Sequence, residues 1–535
     1  MPRQYGFDYI VVGAGSAGCI LANRLSRNYR VLLLEAGGRD WNPMIRVPLM
    51  TRLLYEMPSL NWGYDTEPQL ELGGRTVHWP RGKVLGGSSS INGMAYVRGH
   101  FSDYDGWAAR GLKGWSYDEV LPYFRRLEDH QDKTSDFRGK GGPLRLTTPA
   151  TTGPLPDAFF EACDQAGVPK NDDFNGKDQE GYGRHDFAIY RGRRQNTATA
   201  YLRQAQKRKS LTIWTRTHVT RINLRSGRAT GVTCVRDGGQ EEHVAVEGEV
   251  LLAGGAINSP HLMMLSGIGA ADHLRQAGIS PVHDLPGVGK NLHDHVGVYG
   301  IFDASNAQIT FNRFLRPDRA LAAIGLAWAF GVGPAAMMPT QASAFVRSNA
   351  DLDRPDIQLS LMPILPTKRL LQWGAWRDDA FVIHAYQLRP GSRGAISLRS
   401  NAPTAKPLID PGYLTDSEDL NALRNCLGII RNIAQQDAMR PWISRERSPG
   451  PATVNRPAMD AWIRDSASTC FHPVGTCAMG TEPSAGAVTD ANLRVHGIDG
   501  LRVADASVIP AITGGNTAAP VMMIAEKAAQ AILAP

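Results

Sequence analysis

The sequence has no run of five or six basic residues, no Cys-x-x-Cys pair and no unbroken apolar run of membrane-spanning length. Each absence removes a class of protein. Without a basic run, the net charge of +7 and the pI near 9.1 read as general solubility. The densest basic stretch, Arg203 to Lys209, is short and reads as a solvated segment. No nucleic-acid partner is expected, and a weak attraction to an anionic membrane surface stays open. The six cysteines (Cys19, Cys163, Cys234, Cys426, Cys470 and Cys477) are scattered, which fits reduced cytoplasmic thiols better than a disulfide framework. The longest apolar stretch, Leu321 to Met338, is interrupted by Gly325, Gly331, Gly333 and Pro334 and falls short of the ~20 residues of a membrane span. It reads as buried core or the lining of a pocket. A charged-then-apolar leader is also missing, because the first apolar run, Tyr9 to Val12, leads straight into a glycine motif; no signal peptide is expected.

What is present is a long chain of ordinary globular composition: 535 residues, 42% hydrophobic and 20% charged. That length exceeds one hydrophobic core, so two domains are expected. The 56 glycines and 34 prolines are dispersed, which indicates tight turns and loops rather than disorder. No internal repeat or low-complexity segment is present.

The first thirty-five residues carry the first chemical signal. Phe7 to Val12 is a β-rich run, Gly13-Ala14-Gly15-Ser16-Ala17-Gly18 follows, Cys19 to Ser26 has helix formers with an apolar stripe, and Tyr29 to Leu34 is a second buried-type strand closed by Glu35. In this strand, G-x-G-x-x-G, helix, strand, acid order, Gly13 permits a tight turn, Gly15 admits a pyrophosphate to the backbone, and Gly18 lets the helix pack on the sheet. The helix start offers free N–H groups and partial positive charge to phosphates. Glu35 lies 17 positions beyond Gly18, near the ~20 expected of an acid that accepts from ribose hydroxyls. The motif leaves NAD and FAD open and disfavours NADP, whose 2′-phosphate an acid would repel.

Three further segments stand out. Arg81 to Met94 (RGKVLGGSSSINGM) pairs glycines with serines and an asparagine, and reads equally as a structural turn or as a loop holding a diphosphate or a flavin edge. Gly254 to Gly269 follows a strand-like run, Glu249 to Leu252, and reads as a turn and a helix ended by Gly267. The C-terminal part carries Cys470-Phe471-His472-Pro473-Val474-Gly475-Thr476-Cys477, then Leu501 to Pro510, then Gly514-Gly515-Asn516-Thr517-Ala518-Ala519-Pro520 before a helix-like run to Ile532.

Taken in order, these motifs resemble the glucose–methanol–choline (GMC) oxidoreductase family from Phe7 to the last helix. With Asn61-Trp62-Gly63-Tyr64 and Thr66-Glu67-Pro68, the chain is most similar to the bacterial choline dehydrogenase and alcohol dehydrogenase branch. The resemblance implies an α/β fold: a Rossmann-like FAD-binding domain with an α+β substrate domain built on an antiparallel sheet. It places the FAD domain at residues 1–154, 211–300 and 466–535, and the substrate domain at 155–210 and 301–465. Within the latter, Asp356 to Met362 and Ala380 to Leu388 alternate like antiparallel strands; Met337-Met338 and Leu361-Met362 read equally as pocket lining and as core.

The resemblance also assigns the cofactor residues. Gly13, Ala14, Gly15 and Ser16, with Gly18 behind them, meet the diphosphate; Glu35 and Ala36 meet the ribose; Val219 clasps adenine. Val84, Asn92, Gly93, Met94 and Ala95 lie along the flavin and ribityl chain, and Trp62, Arg81, Gly87, Ser88, Ala253, Gly254 and Phe471 are further cofactor contacts. Asp505, Ala506, Asn516 and Thr517 complete the flavin site. Some family members tether FAD through a histidine at the position of Ile91; an aliphatic side chain cannot form that bond, so non-covalent FAD is expected.

Hydride transfer from an alcohol carbon to flavin N5 requires a base for the hydroxyl proton. Histidine suits that task near neutral pH, and such a base gives ~10²–10⁴-fold in rate. His472 matches the family's histidine, and Asn516 matches its second active-site position, as a hydrogen-bond partner of the substrate oxygen. Thr517 begins the last helix, with Pro520 in its first turn, aiming a positive helix end at the flavin pyrimidine. His293-Asp294-His295 resembles a metal pair but is assigned a structural role near the cofactor, and the spacing of Cys470, His472 and Cys477 fits no zinc pattern; no metal is expected. Cys470 is open to two readings, control of oxygen access or a buried filler.

The expected activity is therefore oxidation of a primary, aliphatic or aromatic alcohol to the aldehyde, with a quinone-like or dye acceptor. An alcohol oxidase using oxygen, choline dehydrogenase and a non-redox lyase-type activity are the alternatives. No acidic side chain identifiable in the sequence is placed to bind a quaternary ammonium. A cytoplasmic location is expected, with peripheral contact to the inner membrane and the oligomeric state left open.

Overall fold

The computed structural model describes residues 6–365 and 378–534. The outermost residues of the segments assigned to FAD, 1–5 and 535, and residues 366–377 of the substrate segment lie outside the described residues.

The β-rich run Phe7–Val12 is the central strand of a parallel sheet, flanked by Val31–Leu34 and Glu241–Leu252. Leu211–Trp214 adds outside Val31–Leu34, and Leu501–Val503 pairs with the end of Glu241–Leu252. The strands Thr217–Arg225 and Arg228–Arg236 extend the other edge as antiparallel ribbons. The central strands carry aliphatic side chains on both faces because helices cover the sheet, as parallel sheets require. Helix Ser16–Leu25 packs against the C-terminal helix Ala518–Leu533.

The second sheet is antiparallel, in the order Ile443–Ser448, Val296–Ala304, Ala380–Gln387, Ile357–Met362, Ala342–Val346, Gly181–Arg184. Ile357 pairs with Gln387 and Met362 with Val382, so the two strands expected from alternation are neighbours. All eight residues of Ala380–Gln387 are buried, because helix Ser417–Gln435 covers one face and the cavity described below meets the other.

One boundary drawn from the sequence cuts through an element, and two segments pack across the expected division. The limit at residue 300 splits the continuous strand Val296–Ala304. Ser468–Thr469, beyond the limit at 466, pairs with Val296 and Gly297 of the second sheet. Residues 198–205, assigned to the substrate segment, pack on helix Ser16–Leu25, where Asn23 donates to the Tyr201 carbonyl at 2.7 Å. The apolar stretch Leu321 to Met338 is not core throughout: residues Pro317–Phe330 form a surface helix with Leu321, Leu326, Trp328 and Phe330 exposed.

At the first turn the chain is as tight as a backbone allows. Gly13 has φ +99°, and a Cβ on Gly18 would run into the Gly13 carbonyl oxygen. Gly18→Ala must therefore push helix Ser16–Leu25 off the sheet, at a cost of about 1–3 kcal/mol. The expected outcome is a protein that purifies with less than stoichiometric flavin and melts at lower temperature; full flavin content and an unchanged melting temperature would contradict this packing.

Candidate active site

One cavity runs from Gly13 and Glu35 at the parallel sheet to His472 and Tyr386 at the antiparallel sheet. Its nucleotide end is made of backbone. Helix Ser16–Leu25 has Gly15 as N-cap with no side-chain cap and no acid in its first turn, so its first N–H groups are left for a ligand. The loop Gly87–Ser90 closes over it: a Cβ on Gly87 would lie 2.6 Å from the Gly15 Cα. Glu35 is buried, and its two oxygens accept from the N–H groups of Ala14 at 2.9 Å and Gly37 at 2.8 Å. Burial is the largest influence on it and pushes its carboxyl up to about 7, against the pull of those two N–H groups.

The middle of the cavity is braced from below. Arg194, which no sequence motif marked, is buried and donates to the carbonyl and to Oδ1 of Asn92, to the Ile45 carbonyl and to Thr51. That bracing holds the turn in which Met94 takes φ +61°. Asp505 accepts from Gly255 N (2.8 Å) and Ser259 Oγ on one oxygen, and from Ser507 N and Oγ on the other. It thus ties the start of helix Gly255–Leu265 to its own turn at the cavity wall, and burial raises its carboxyl above the usual range.

The reactive end is a chain of neutral rings. His295 Nε2 lies 3.0 Å from the Leu388 carbonyl oxygen, which can only accept, so that nitrogen carries the proton. His295 Nδ1 is then bare and accepts from His472 Nδ1 at 3.0 Å. The remaining nitrogen of His472, Nε2, consequently carries a lone pair, which accepts from the Asn516 amide Nδ2 at 3.0 Å. Both rings are neutral at pH 7. Burial, then the neighbouring His295 and Arg81, drives His472 well below the usual histidine range, and burial brings His295 down to about 4. The backbone of His472 is anchored by its N–H donating to Asp294 Oδ1 at 2.6 Å, while Asp294 Oδ2 accepts from Tyr413 and Thr469.

Most residues assigned from the sequence line this cavity: Gly13, Gly15, Ser16, Glu35, Ala36, Trp62, Arg81, Gly87, Ser88, Asn92, Gly93, Met94, Ala95, Val219, Ala253, Gly254, Phe471, His472, Asp505, Ala506, Asn516 and Thr517. Three do not. Val84 is fully buried among Ile45, Leu54, Leu60 and Ile91, so its side chain is core. Ala14 stands behind the turn, bonded to Glu35, and Gly18 is the packing position described above. The triplet His293-Asp294-His295 does not converge: His293 bonds to the Asn291 carbonyl and the Ile512 N–H, and the other two bond as given. Among the described residues no group of three His, Cys, Asp or Glu side chains is placed to hold a metal. Cys470 lines the cavity with its sulfur 3.9 Å from His384 Nε2.

No motif in the sequence gives His295 a chemical role. Its partner is a backbone carbonyl 93 positions away, just past strand Ala380–Gln387, which pairs with the strand that follows His295, a relation that no local pattern reports. Tyr55, His384, Gln358 and Tyr386, also on the wall, are likewise outside every motif.

Two orphaned groups test whether the cavity suits FAD. Arg81 Nε and Nη2 and Asn516 Oδ1 are buried at its wall without a protein partner, and buried donors and acceptors normally have one. Unpaired donors in a cavity that also holds an uncapped helix start suit a ligand rich in carbonyls and phosphates. Thr517 is the N-cap of helix Ala518–Leu533, again with no side-chain cap, so this end too presents free N–H groups.

Residues 7–297 and 390–525 match the N- and C-terminal models described as GMC oxidoreductase. The mitochondrial choline dehydrogenase of Mus musculus is 41% identical over 540 residues, covering 98% of this chain and 89% of the relative. The oxygen-dependent choline dehydrogenase of Photobacterium profundum is 43% identical over 537 residues, covering 98% and 93%. Among solved structures, pyridoxine 4-oxidase from Mesorbium loti superposes with a TM-score of 0.88 at 34% identity over 98% of both chains. A formate oxidase superposes with a TM-score of 0.93 at 26% identity, covering 100% of this chain and 99% of that one.

The ring relay makes a graded prediction. His472→Ala removes the lone pair and should slow anaerobic flavin reduction by alcohol by about 10²–10⁴-fold. His295→Leu leaves the lone pair but frees the tautomer, and should cost about 10–10²-fold in kcat with little change in KM. Stopped-flow traces that match wild type for His295→Leu would show that the tautomer is set elsewhere.

Proposed function

This chain belongs to the GMC oxidoreductase family, FAD-dependent enzymes that act on CH–OH groups, and from that premise we propose that it oxidises an uncharged primary alcohol bearing an aromatic ring to the aldehyde. The observation that carries this reading is the pairing of His472 Nε2 with Asn516 Nδ2, 3.0 Å apart, at the far end of a cavity that starts at the glycine turn. One alcohol oxygen entering between them can replace their mutual hydrogen bond: its proton turns toward the His472 lone pair, its own lone pair toward the Asn516 amide. The chemistry that FAD supplies when bound is acceptance of a hydride from the alcohol carbon. The hydroxyl proton passes to His472 Nε2, the two electrons leave with the hydride, and the aldehyde remains. Asn516 holds the oxygen as its C–O bond becomes C=O, and it cannot titrate. The low proton affinity of His472 keeps it in the base form at neutral pH and favours return of the proton to water after turnover.

The walls support the substrate class. Tyr55, Phe187, Tyr299 and Tyr386 give aromatic faces, and Gln358, Ser360 and His384 give neutral hydrogen-bonding groups. His384 stacks on Tyr299 with ring centres 4.3 Å apart, and burial brings it down to about 3, so it too is uncharged. Among the described residues the carboxylates that line the cavity are Glu35 and Asp505, both taken up by backbone or serine donors away from His472. A quaternary ammonium beside His472 would meet the Arg81 guanidinium and no lining carboxylate. This distinguishes the proposed substrate from choline, on which the named relatives act, and agrees with the ring-bearing alcohol in the name of the pyridoxine 4-oxidase.

We assign His472 as the base, Asn516 as its partner on the substrate oxygen, and FAD as non-covalent, because Ile91 at the tether position offers only hydrocarbon. The electron acceptor in this reading is a quinone-like carrier. Anaerobic mixing with benzyl alcohol, pyridoxine and choline tests the substrate class by loss of flavin absorbance. The aromatic alcohols should give kcat/KM at least about 10²-fold above choline; choline as the best substrate would overturn it. Acid precipitation should leave all flavin in the supernatant, and flavin retained in the pellet would contradict the non-covalent assignment.

A further inference from the structure

The helix Pro317–Phe330 breaks the rule that a helix apolar all round is buried. From Ala320 to Val332 no side chain is charged, and the only polar atom is the Trp328 indole nitrogen. One narrow face, with Ala323 and Ala327, packs on Val47, Met50, Ala335 and Ala336. The rest faces outward: Leu321 and Phe330 are each 74% exposed, and Trp328 and Val332 are each 53% exposed. The adjoining turn Pro43–Arg46 and the residues before it add Trp41, 78% exposed, and Met44. Most of the large exposed apolar side chains of the described residues therefore gather on one side of the molecule, whereas isolated ones elsewhere need no explanation.

The rim of this face is basic. Arg313, Arg316 and Arg319 stand at the start of the helix, Arg193 caps the far end by donating to the carbonyls of Trp328 and Ala329, and Arg46 is exposed beside Met44. The one acid in the helix, Asp318, is paired with Arg316. We propose that this face docks on an anionic lipid surface, with the helix lying in the plane of the headgroups. Aromatic and leucine side chains with arginines at their border suit that boundary, the rings entering the acyl layer while guanidinium groups stay among the phosphates. The helix has 14 residues, and among the described residues no helix is long and apolar enough to cross a membrane, so the contact is peripheral. A second copy of the chain is the poorer occupant, since a two-fold contact through this face would set the arginine rims against each other.

The position has a consequence that rests on the FAD-dependent reading above, whereas the docking does not. Tyr55 follows the segment Thr51–Leu54 beside this helix, and Met338 follows its downstream turn; both line the cavity. Docking would hold one cavity wall at the lipid surface, within reach of an apolar acceptor dissolved there.

The test uses the holoenzyme sedimented with vesicles of phosphatidylcholine alone or mixed with phosphatidylglycerol. The protein should pellet with the anionic vesicles and be released by high salt. Leu321→Glu with Phe330→Glu should weaken association by about tenfold or more, with flavin content and turnover of a soluble alcohol with a soluble dye unchanged. Trp328→Glu alone is the second variant, should the pair fail to fold, and should weaken association in the same direction. Wild-type protein that stays in the supernatant with anionic vesicles overturns the proposal. So does a dimer in size-exclusion chromatography that Trp328→Glu converts to monomer, which would show that a second copy covers the face.

Discussion

The chemistry depends on a hydrogen bond that the substrate never touches. The Leu388 carbonyl can only accept, so it fixes the proton on His295 Nε2; that fixes His295 Nδ1 as an acceptor and His472 Nδ1 as a donor. The outcome is a lone pair on His472 Nε2, aimed at the Asn516 amide inside the cavity. A lone buried histidine has two neutral forms, only one of which serves as a base in the required direction. Here the choice is made by backbone of the antiparallel sheet, at the end of a strand whose every residue is buried. The substrate sheet thus sets the protonation pattern of a residue from the C-terminal segment.

Burial works in opposite senses at the two ends of the same cavity. At Glu35 it disfavours the anion, and two backbone N–H groups offset part of that cost, leaving a carboxyl near neutrality. At His472 it disfavours the cation, and Arg81 and His295 add to the effect. Both results favour a polar ligand that brings its own hydrogen bonds: ribose hydroxyls at one end, an alcohol oxygen at the other. Between them the loop at Gly87 can close on the backbone of Gly15 only because Gly87 lacks a side chain.

The parts legible in the sequence are those whose cause is local. The strand, glycine turn and helix from Phe7 to Leu25 follow from propensity and glycine spacing, and the antiparallel pair Ile357–Met362 and Ala380–Gln387 follows from alternation. His472 and Asn516 were legible as members of ordered motifs, and the structure brings them into contact across 44 positions. What stayed hidden was non-local. Val84 sits inside a conspicuous motif, yet its burial among Ile45, Leu54 and Leu60 depends on how the following loops fold back. His295 reads in the sequence as part of a structural triplet, and its carbonyl partner, far along the chain, is what gives it a role in the chemistry. The stretch Leu321 to Met338 reads as core or pocket lining because composition reports apolarity without saying what covers it.

His472 enters the reaction neutral, with its lone pair at Nε2. The pH dependence of anaerobic flavin reduction by a saturating non-ionisable alcohol measures this directly. The rate should be level across neutral pH and decline only well below 6.5, the ordinary histidine value, because burial and the neighbouring His295 and Arg81 resist protonation. A rate that reaches its plateau only above about pH 7 would mean that His472 is still a cation at neutrality, and the relay described here would not be what sets the base.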